Sequence, residues 1–137
     1  MKKLTDYMAE ELSAAFEKAG YDSSYGKVGV SNRPDLCEYQ CNGAMAGAKA
    51  YKKAPFMIAD EVVAKLTDNK MFSKIESVKP GFININICED YLAGYLNEMS
   101  ETEKFGYFNA DKEKTVIVDY GGANAAKPLH VGHLRSA

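Results

Sequence analysis

Residues 82–87 read Phe-Ile-Asn-Ile-Asn-Ile, and no other stretch limits the possible folds of this chain so strongly. In a strand, successive side chains point to opposite faces. Ile83, Ile85 and Ile87 therefore share one face, and Phe82, Asn84 and Asn86 the other. Three aligned isoleucines need an apolar layer beneath them, whereas a helix would scatter them around its axis. The stretch is predicted to be a half-buried strand, paired with Ile75–Val78. Asparagine is disfavoured in strands, so two on one face point to a use for that face, with an ordinary solvated sheet face as the even alternative.

Helices supply the cover. Leu4, Met8, Leu12, Ala15, Phe16 and Ala19 recur at helical spacing, and Gly20 is a natural stop. Tyr21 to Asn32 is rich in Ser, Gly and Tyr and predicts a turn with a short strand around Lys27–Val30. Arg33-Pro34-Asp35 is a further turn, and Leu36–Gln40 is the expected partner strand. Asn42 is placed to cap a helix through Gly43–Ala48, whose small side chains allow close approach to a sheet. Pro55 fits the first turn of another helix, with an apolar stripe of Phe56, Ala59, Val62, Val63 and Leu66. A last helix carries Glu89 and Asp90 in its first turn and an apolar face of Leu92, Tyr95, Leu96 and Met99. The sum is an α+β domain of two layers, an antiparallel sheet against packed helices.

The pattern changes after that helix. Residues 101–114 are polar and read as a linker, whereas Thr115–Val118 is a continuous apolar run suited to a strand covered on both faces. A boundary is expected near Asp111, giving one domain over 1–110 and the start of a second, α/β in kind, over 111–137. A lone parallel strand lacks neighbours, so the tail from about Thr115 is not expected to pack as a sheet by itself.

Lys and Arg number 17 and Asp and Glu 19, a net charge of −2, which excludes a strongly basic nucleic-acid binder. Contact with RNA has to come from a local patch, from shape or from stacking. No apolar run is long enough to span a membrane, and the start turns acidic too early for a signal peptide. Three cysteines, Cys37, Cys41 and Cys88, form an odd set without dense spacing. They read as free thiols of a cytoplasmic protein, with no metal site.

The chemical signature runs from Asp119 to Ser136. It follows the apolar run, passes through Gly121-Gly122 and opens a helix. Backbone N–H groups at a helix start favour phosphate, and His130, His133 and Lys127 add donors where negative charge develops. Gly132 lets a ligand approach the backbone. On residue types alone, the two histidines are equally polar residues at a helix start, half of a metal site, or a phosphate cradle.

His130-Val131-Gly132-His133 resembles the His-x-Gly-His signature of class I aminoacyl-tRNA synthetases. The longer string Asn124-Ala125-Ala126-Lys127-Pro128-Leu129-His130-Val131-Gly132-His133-Leu134-Arg135-Ser136 resembles its arginyl-tRNA synthetase version. Upstream, residues 38–42, 55–59 and 80–84 resemble landmarks of the domain that these enzymes carry ahead of their Rossmann-type catalytic domain. The resemblance implies an ATP-dependent ligase that forms arginyl-adenylate and passes arginine to tRNA. It gives His130 and His133 the ATP phosphates, with Gly132 in the same loop, and Lys127 the same developing charge. It gives Asp119 the substrate guanidinium and Asn124 its α-amino group. A carboxylate facing a fork of N–H donors suits that choice of substrate. Where the family commonly has Ser-x-Pro-Asn, this chain has Gly121-Gly122-Ala123-Asn124, which removes the serine hydroxyl.

The implied partners are tRNA(Arg), arginine and ATP with magnesium, the last as substrate; no tightly bound cofactor, membrane or DNA is implied. The appended domain is implied to touch the D-loop corner of tRNA. Phe82 can stack an unpaired base while Asn84 and Asn86 read base edges. Lys49, Lys52, Lys53 and Lys79 are candidate phosphate contacts. The chain is thus expected to be the N-terminal part of an arginine–tRNA ligase, inactive alone. A freestanding RNA-binding module and another His-x-Gly-His nucleotidyltransferase are the rival readings.

Overall fold

The computed structural model describes residues 2–106, together with 115, 117, 128 and 130–136. Helix α1 spans Leu4–Lys18. The Lys3 backbone N–H donates to Asp6 Oδ2 at 3.2 Å, which ties down its first turn. It ends where the sequence provides a glycine: Gly20 has φ +87°, and the next N–H, from Tyr21, reaches back to the Phe16 carbonyl at 2.9 Å. Only glycine adopts that left-handed geometry without cost. A short 3-10 turn, Ser23–Tyr25, leads into strand β1, Val28–Val30, and then β2, Tyr39–Cys41.

Helices α2, Gly43–Tyr51, and α3, Pro55–Val63, follow, with Pro55 in the first turn of α3 as expected. Strands β3, Phe72–Val78, and β4, Phe82–Ile87, form a hairpin whose Lys79–Pro80 peptide bond is cis. Helix α4 spans Glu89–Glu101. A six-residue helix α5, Val131–Ser136, lies in the signature segment.

The four strands form one antiparallel sheet in the order β1-β2-β4-β3. The alternation in β4 sets its faces. Ile83 and Ile85 are fully buried beneath Leu12, Phe16, Ile58, Ala59 and Val62, so α1 and α3 seal that side. Each such isoleucine contributes about 1.5–3 kcal/mol when fully buried. Ile87 joins Met8 and Met71 in a second cluster, where Tyr91 and Leu92 bring in α4. Tyr95 stands edge-on to Tyr7, with centroids 6.3 Å apart. Among the described residues, no helix is long and apolar enough to cross a membrane.

Several sequence expectations shift. The strand expected over Leu36–Gln40 starts later, at Tyr39, because Arg33 to Cys37 closes a turn in which the Leu36 and Cys37 N–H groups bond the Arg33 carbonyl. Asn42 stands at the start of α2 but makes no side-chain cap bond. In α3, Ile58 takes the core position expected for Phe56, which is half exposed with Lys79 Nζ 5.6 Å from its ring centroid. The segment expected as a linker from Glu101 is still helical at Glu101 and continues as a 3-10 turn, Glu103–Gly106. No residue of α4 is fully buried, and Leu96 of its expected apolar face is exposed. The boundary near Asp111 lies outside the described residues. So does most of the strand expected over Thr115–Val118; its two described positions, Thr115 and Ile117, are exposed.

The small residues of α2 are a packing requirement on one side. A Cβ on Gly43 would overlap the Tyr25 carbonyl oxygen, and one on Gly47 would press the Tyr25 ring. On α4, by contrast, a Cβ on Gly94 meets nothing within 4 Å. Gly43→Ala is expected to lose roughly 1–3 kcal/mol by overpacking. Gly94→Ala is expected to gain about 0.5–1 kcal/mol by removing unfolded-state freedom in a helix. Urea unfolding of both variants checks the opposite signs.

Candidate nucleic-acid interface

The strand register fixes what the sheet shows on the side away from α1 and α3. Gly29 pairs with Gln40, Gln40 with Asn84, and Asn84 with Glu76, so one row crosses all four strands. Asn86 pairs with Lys74 in the row to one side, and Phe82 with Val78 in the row to the other. The face carrying Phe82, Asn84 and Asn86 is therefore a real sheet face, as the alternation required.

It is not, however, an evenly solvated one. Asn84 is only 6% exposed, and its Oδ1 accepts a hydrogen bond from Gln40 Nε2 at 2.9 Å. A buried amide held in this way keeps a fixed orientation. Phe82 and Asn86 on either side are half-buried. Glu76, the other neighbour of Asn84, pairs with Lys74 at 2.8 Å. Sequence reasoning missed Gln40. The signal was present: Glu38, Gln40 and Asn42 alternate with Tyr39 and Cys41, the same two-residue rhythm as in β4. Glu38 serves the backbone, its Oε2 accepting from the Ile87 N–H at 2.8 Å.

The hairpin turn is pinned from below. A Cβ on Gly81 would overlap Pro55, so the start of α3 holds the turn in close contact. This sets Lys79 and Phe82 at the end of the sheet. Lys52 is exposed and occupies the left-handed position that ends α2, with φ 50°. Lys49 is exposed one turn earlier.

Lys53 is already engaged. It forms an ion pair with Glu61 and donates to the Tyr21 hydroxyl at 3.0 Å, while that hydroxyl donates to Glu61. The hydrogen bonds from Lys53 and then Tyr21 lower the Glu61 carboxyl below its usual value. Burial, followed by the bond to Glu61, raises Tyr21. The cluster ties α3 to the segment after α2 and to the loop after α1.

In the signature segment, His130 is exposed and its Nδ1 accepts from the Gly132 N–H at 3.1 Å. Among the described residues, a Cβ on Gly132 would meet only the ring of His130, an exposed side chain, and no backbone. His133 lies on the backbone of α5. Asp119, Asn124 and Lys127, with the side chain of His133, lie outside the described residues. Among the described cysteines, Cys37 and Cys41 are buried and unpaired, and burial pushes the Cys41 thiol up to about 11.

A family model described as arginyl tRNA synthetase N terminal domain matches residues 2–87, and one described as tRNA synthetases class I (R), catalytic domain, matches residues 96–137. The chain is similar over all of its length to an arginine–tRNA ligase of Agathobacter rectalis, at 60% identity. It is 50% identical, again over its whole length, to one of Alkaliphilus oremlandii. Over 98% of its length it is 45% identical to one of Francisella tularensis. It spans 23% of the length of each of these curated relatives. Among solved structures, arginyl-tRNA synthetase from Plasmodium falciparum superposes with TM-score 0.62 at 25% identity, covering 99% of this chain and 26% of that one. The Thermus thermophilus arginyl-tRNA synthetase shares the fold, with TM-score 0.58 at 23% identity over 98% of this chain and 21% of that one.

The Glu61 cluster yields a signed pH dependence. Because the folded carboxyl is lowered, its stabilisation is complete above the ordinary glutamate value, about 4.3. It is lost as the pH falls through the folded value. Glu61→Gln is thus expected to melt below the wild type at pH 7, with the gap closing towards pH 3. Thermal melts at the two pH values check this; a gap that widens in acid contradicts it.

Proposed function

Because the chain belongs to the arginyl tRNA synthetase N-terminal domain family, as the match over residues 2–87 establishes, we propose that it is the leading, tRNA-contacting part of an arginine–tRNA ligase. The observation that carries this reading is the order of the two matches, N-terminal domain and then class I catalytic domain, on one chain. The whole enzyme activates arginine with ATP and magnesium to arginyl-adenylate and transfers it to tRNA(Arg) in the cytoplasm. Residues 1–110 form the RNA-contacting domain and 111–137 the beginning of the catalytic one.

In this reading Phe82 offers a half-buried ring to an unpaired base, with Asn84 and Asn86 beside it. Lys79 and Lys52 stand at the ends of neighbouring elements, where they can meet phosphate. Lys53 adds charge near the same edge while bound to Glu61. His130 and His133 hold ATP phosphates across Gly132, and Lys127 meets the same developing charge. Asp119 pairs with the guanidinium of arginine, and Asn124 takes its α-amino group. All of this catalytic work needs the rest of the enzyme.

The test is a titration of this chain with an in vitro transcript of tRNA(Arg). Phe82→Ala is expected to weaken binding by roughly 1–3 kcal/mol, the range for one stacked base. Equal binding by wild type and variant overturns the RNA face. In the full-length enzyme, replacing His130 and His133 with alanine is expected to slow arginine-dependent ATP–pyrophosphate exchange at least ~100-fold. An unchanged rate removes the phosphate role.

A further inference from the structure

A cleft of about 560 Å³ opens beside the row that carries Asn84, between β1, the end of β2 and the start of α2. Its size lies within the roughly 300–1,000 Å³ range of small-ligand sites. Lys27, Gly29, Asn32, Gln40 and Asn42 line it, and among its described lining residues none is acidic. Three observations connect it to the proposed RNA face. Gln40 lines the cleft and also bonds Asn84. Asn42 lines it one residue beyond the Cys41–Ile83 pair, on the side where β4 has Phe82. Gly29, the edge partner of Gln40, leaves that end of the row without a side chain.

Gly29 is the telling residue. Glycine within a strand is unfavourable unless a bulge, a bend or a close approach requires it. Its backbone is not in the left-handed region, since the positive-φ glycines among the described residues are Gly20 and Gly106. Nothing lies within 4 Å of where its Cβ would stand. Neither conformation nor internal packing accounts for it, and what its bare backbone keeps open is the floor of the cleft.

We propose that this cleft binds a second unpaired nucleotide of the RNA, next to the one stacked on Phe82. This rests on the RNA-binding reading above. The base lies over the backbone at Gly29, its edge meets the amides of Asn32, Gln40 and Asn42, and its phosphate meets Lys27. Gln40 then belongs to both subsites: one amide touches the base in the cleft and fixes Asn84 in the adjacent one. A base edge with both donors and acceptors suits three amides, each offering both.

The experiment titrates tRNA(Arg) transcript against wild type, Phe82→Ala, Gly29→Val and Lys27→Ala of this chain, with melting temperatures recorded. Valine at position 29 has room and favours strands, so the fold should persist while the cleft floor fills. The expected result is about tenfold weaker binding by Gly29→Val with no fall in melting temperature. Lys27→Ala should lower the slope of log affinity against log salt by about 0.7, the contribution of one phosphate on a single strand. A fully paired RNA hairpin stem should bind wild type and Gly29→Val equally. Wild-type binding by both Gly29→Val and Lys27→Ala, with Phe82→Ala still weakened, overturns the second subsite and leaves the first. Equal losses on the paired stem overturn the assignment to an unpaired nucleotide. No binding by the wild type removes both readings. Should Gly29→Val melt lower, the salt slope of Lys27→Ala decides.

Discussion

Strand β4 answers to two environments at once, and its register leaves no freedom to adjust one without the other. Ile83 and Ile85 are sealed beneath α1 and α3. A slip of one residue would place Asn84 in that core and the isoleucines in water. Because Cys41 pairs with Ile83 and Tyr39 with Ile85, the inner row also dictates the outer one, and Gln40 has to face the same way as Asn84. The amide pair on the far side is thus a by-product of hydrophobic burial. An RNA-facing surface built on it is as rigid as the core beneath it, an advantage over a surface built on loops.

The connections that flank the sheet are fixed by a second device, a group of aromatic rings. Phe16, fully buried, meets Tyr21 at 6.5 Å and Tyr25 at 6.2 Å, and Tyr51 stands edge-on to Tyr21 at 4.8 Å. The Tyr51 hydroxyl accepts from the Asp22 N–H at 2.7 Å. With Tyr21 also bonded to Glu61 and Lys53, the loop after α1, the end of α2 and the face of α3 are tied at one point. Lys52 follows directly from this knot. Its position is set by a ring cluster anchored on buried Phe16 and Tyr21, although its own side chain is exposed.

How much of this was legible in the sequence depends on how local each cause is. The alternation in β4, the helical spacing of α1, Gly20 and Pro55 act within a few residues, and each appears where expected. Phe56 was misplaced because a period of 3.6 allows more than one stripe on a short helix; Ile58, Ala59 and Val62 form the buried one. Leu96 was misplaced for a related reason: α4 has a readable apolar face, but the described residues supply no layer to cover that part of it. The Gln40–Asn84 bond joins positions 44 residues apart. The cleft needs positions 24 to 46 folded over each other. Such features follow from register, which no short window contains. The signature around His130 is the opposite case: its chemistry was legible as a string, while most of its residues lie outside the described part.

On the proposed reading, the charge pattern constrains how this domain holds RNA. Among the described residues, Lys2, Arg33, Lys53 and Lys74 each sit in an ion pair with a carboxylate. Lys27, Lys49, Lys52 and Lys79, the lysines that the RNA reading invokes besides Lys53, are outside such pairs and exposed; Lys27 immediately precedes β1 and Lys79 immediately follows β3. Four cations release few counterions, which makes for a shallow salt dependence and modest electrostatic affinity. In a chain of net charge −2, long-range attraction of a polyanion is weak as well. Selectivity then has to come from what a rigid sheet can offer at short range: a ring to stack on, amides held in one orientation, and a cleft with a bare floor. On the proposed reading, that is a surface for orienting a bound tRNA rather than capturing it. Such a role suits a domain placed ahead of a catalytic domain with substrate contacts of its own.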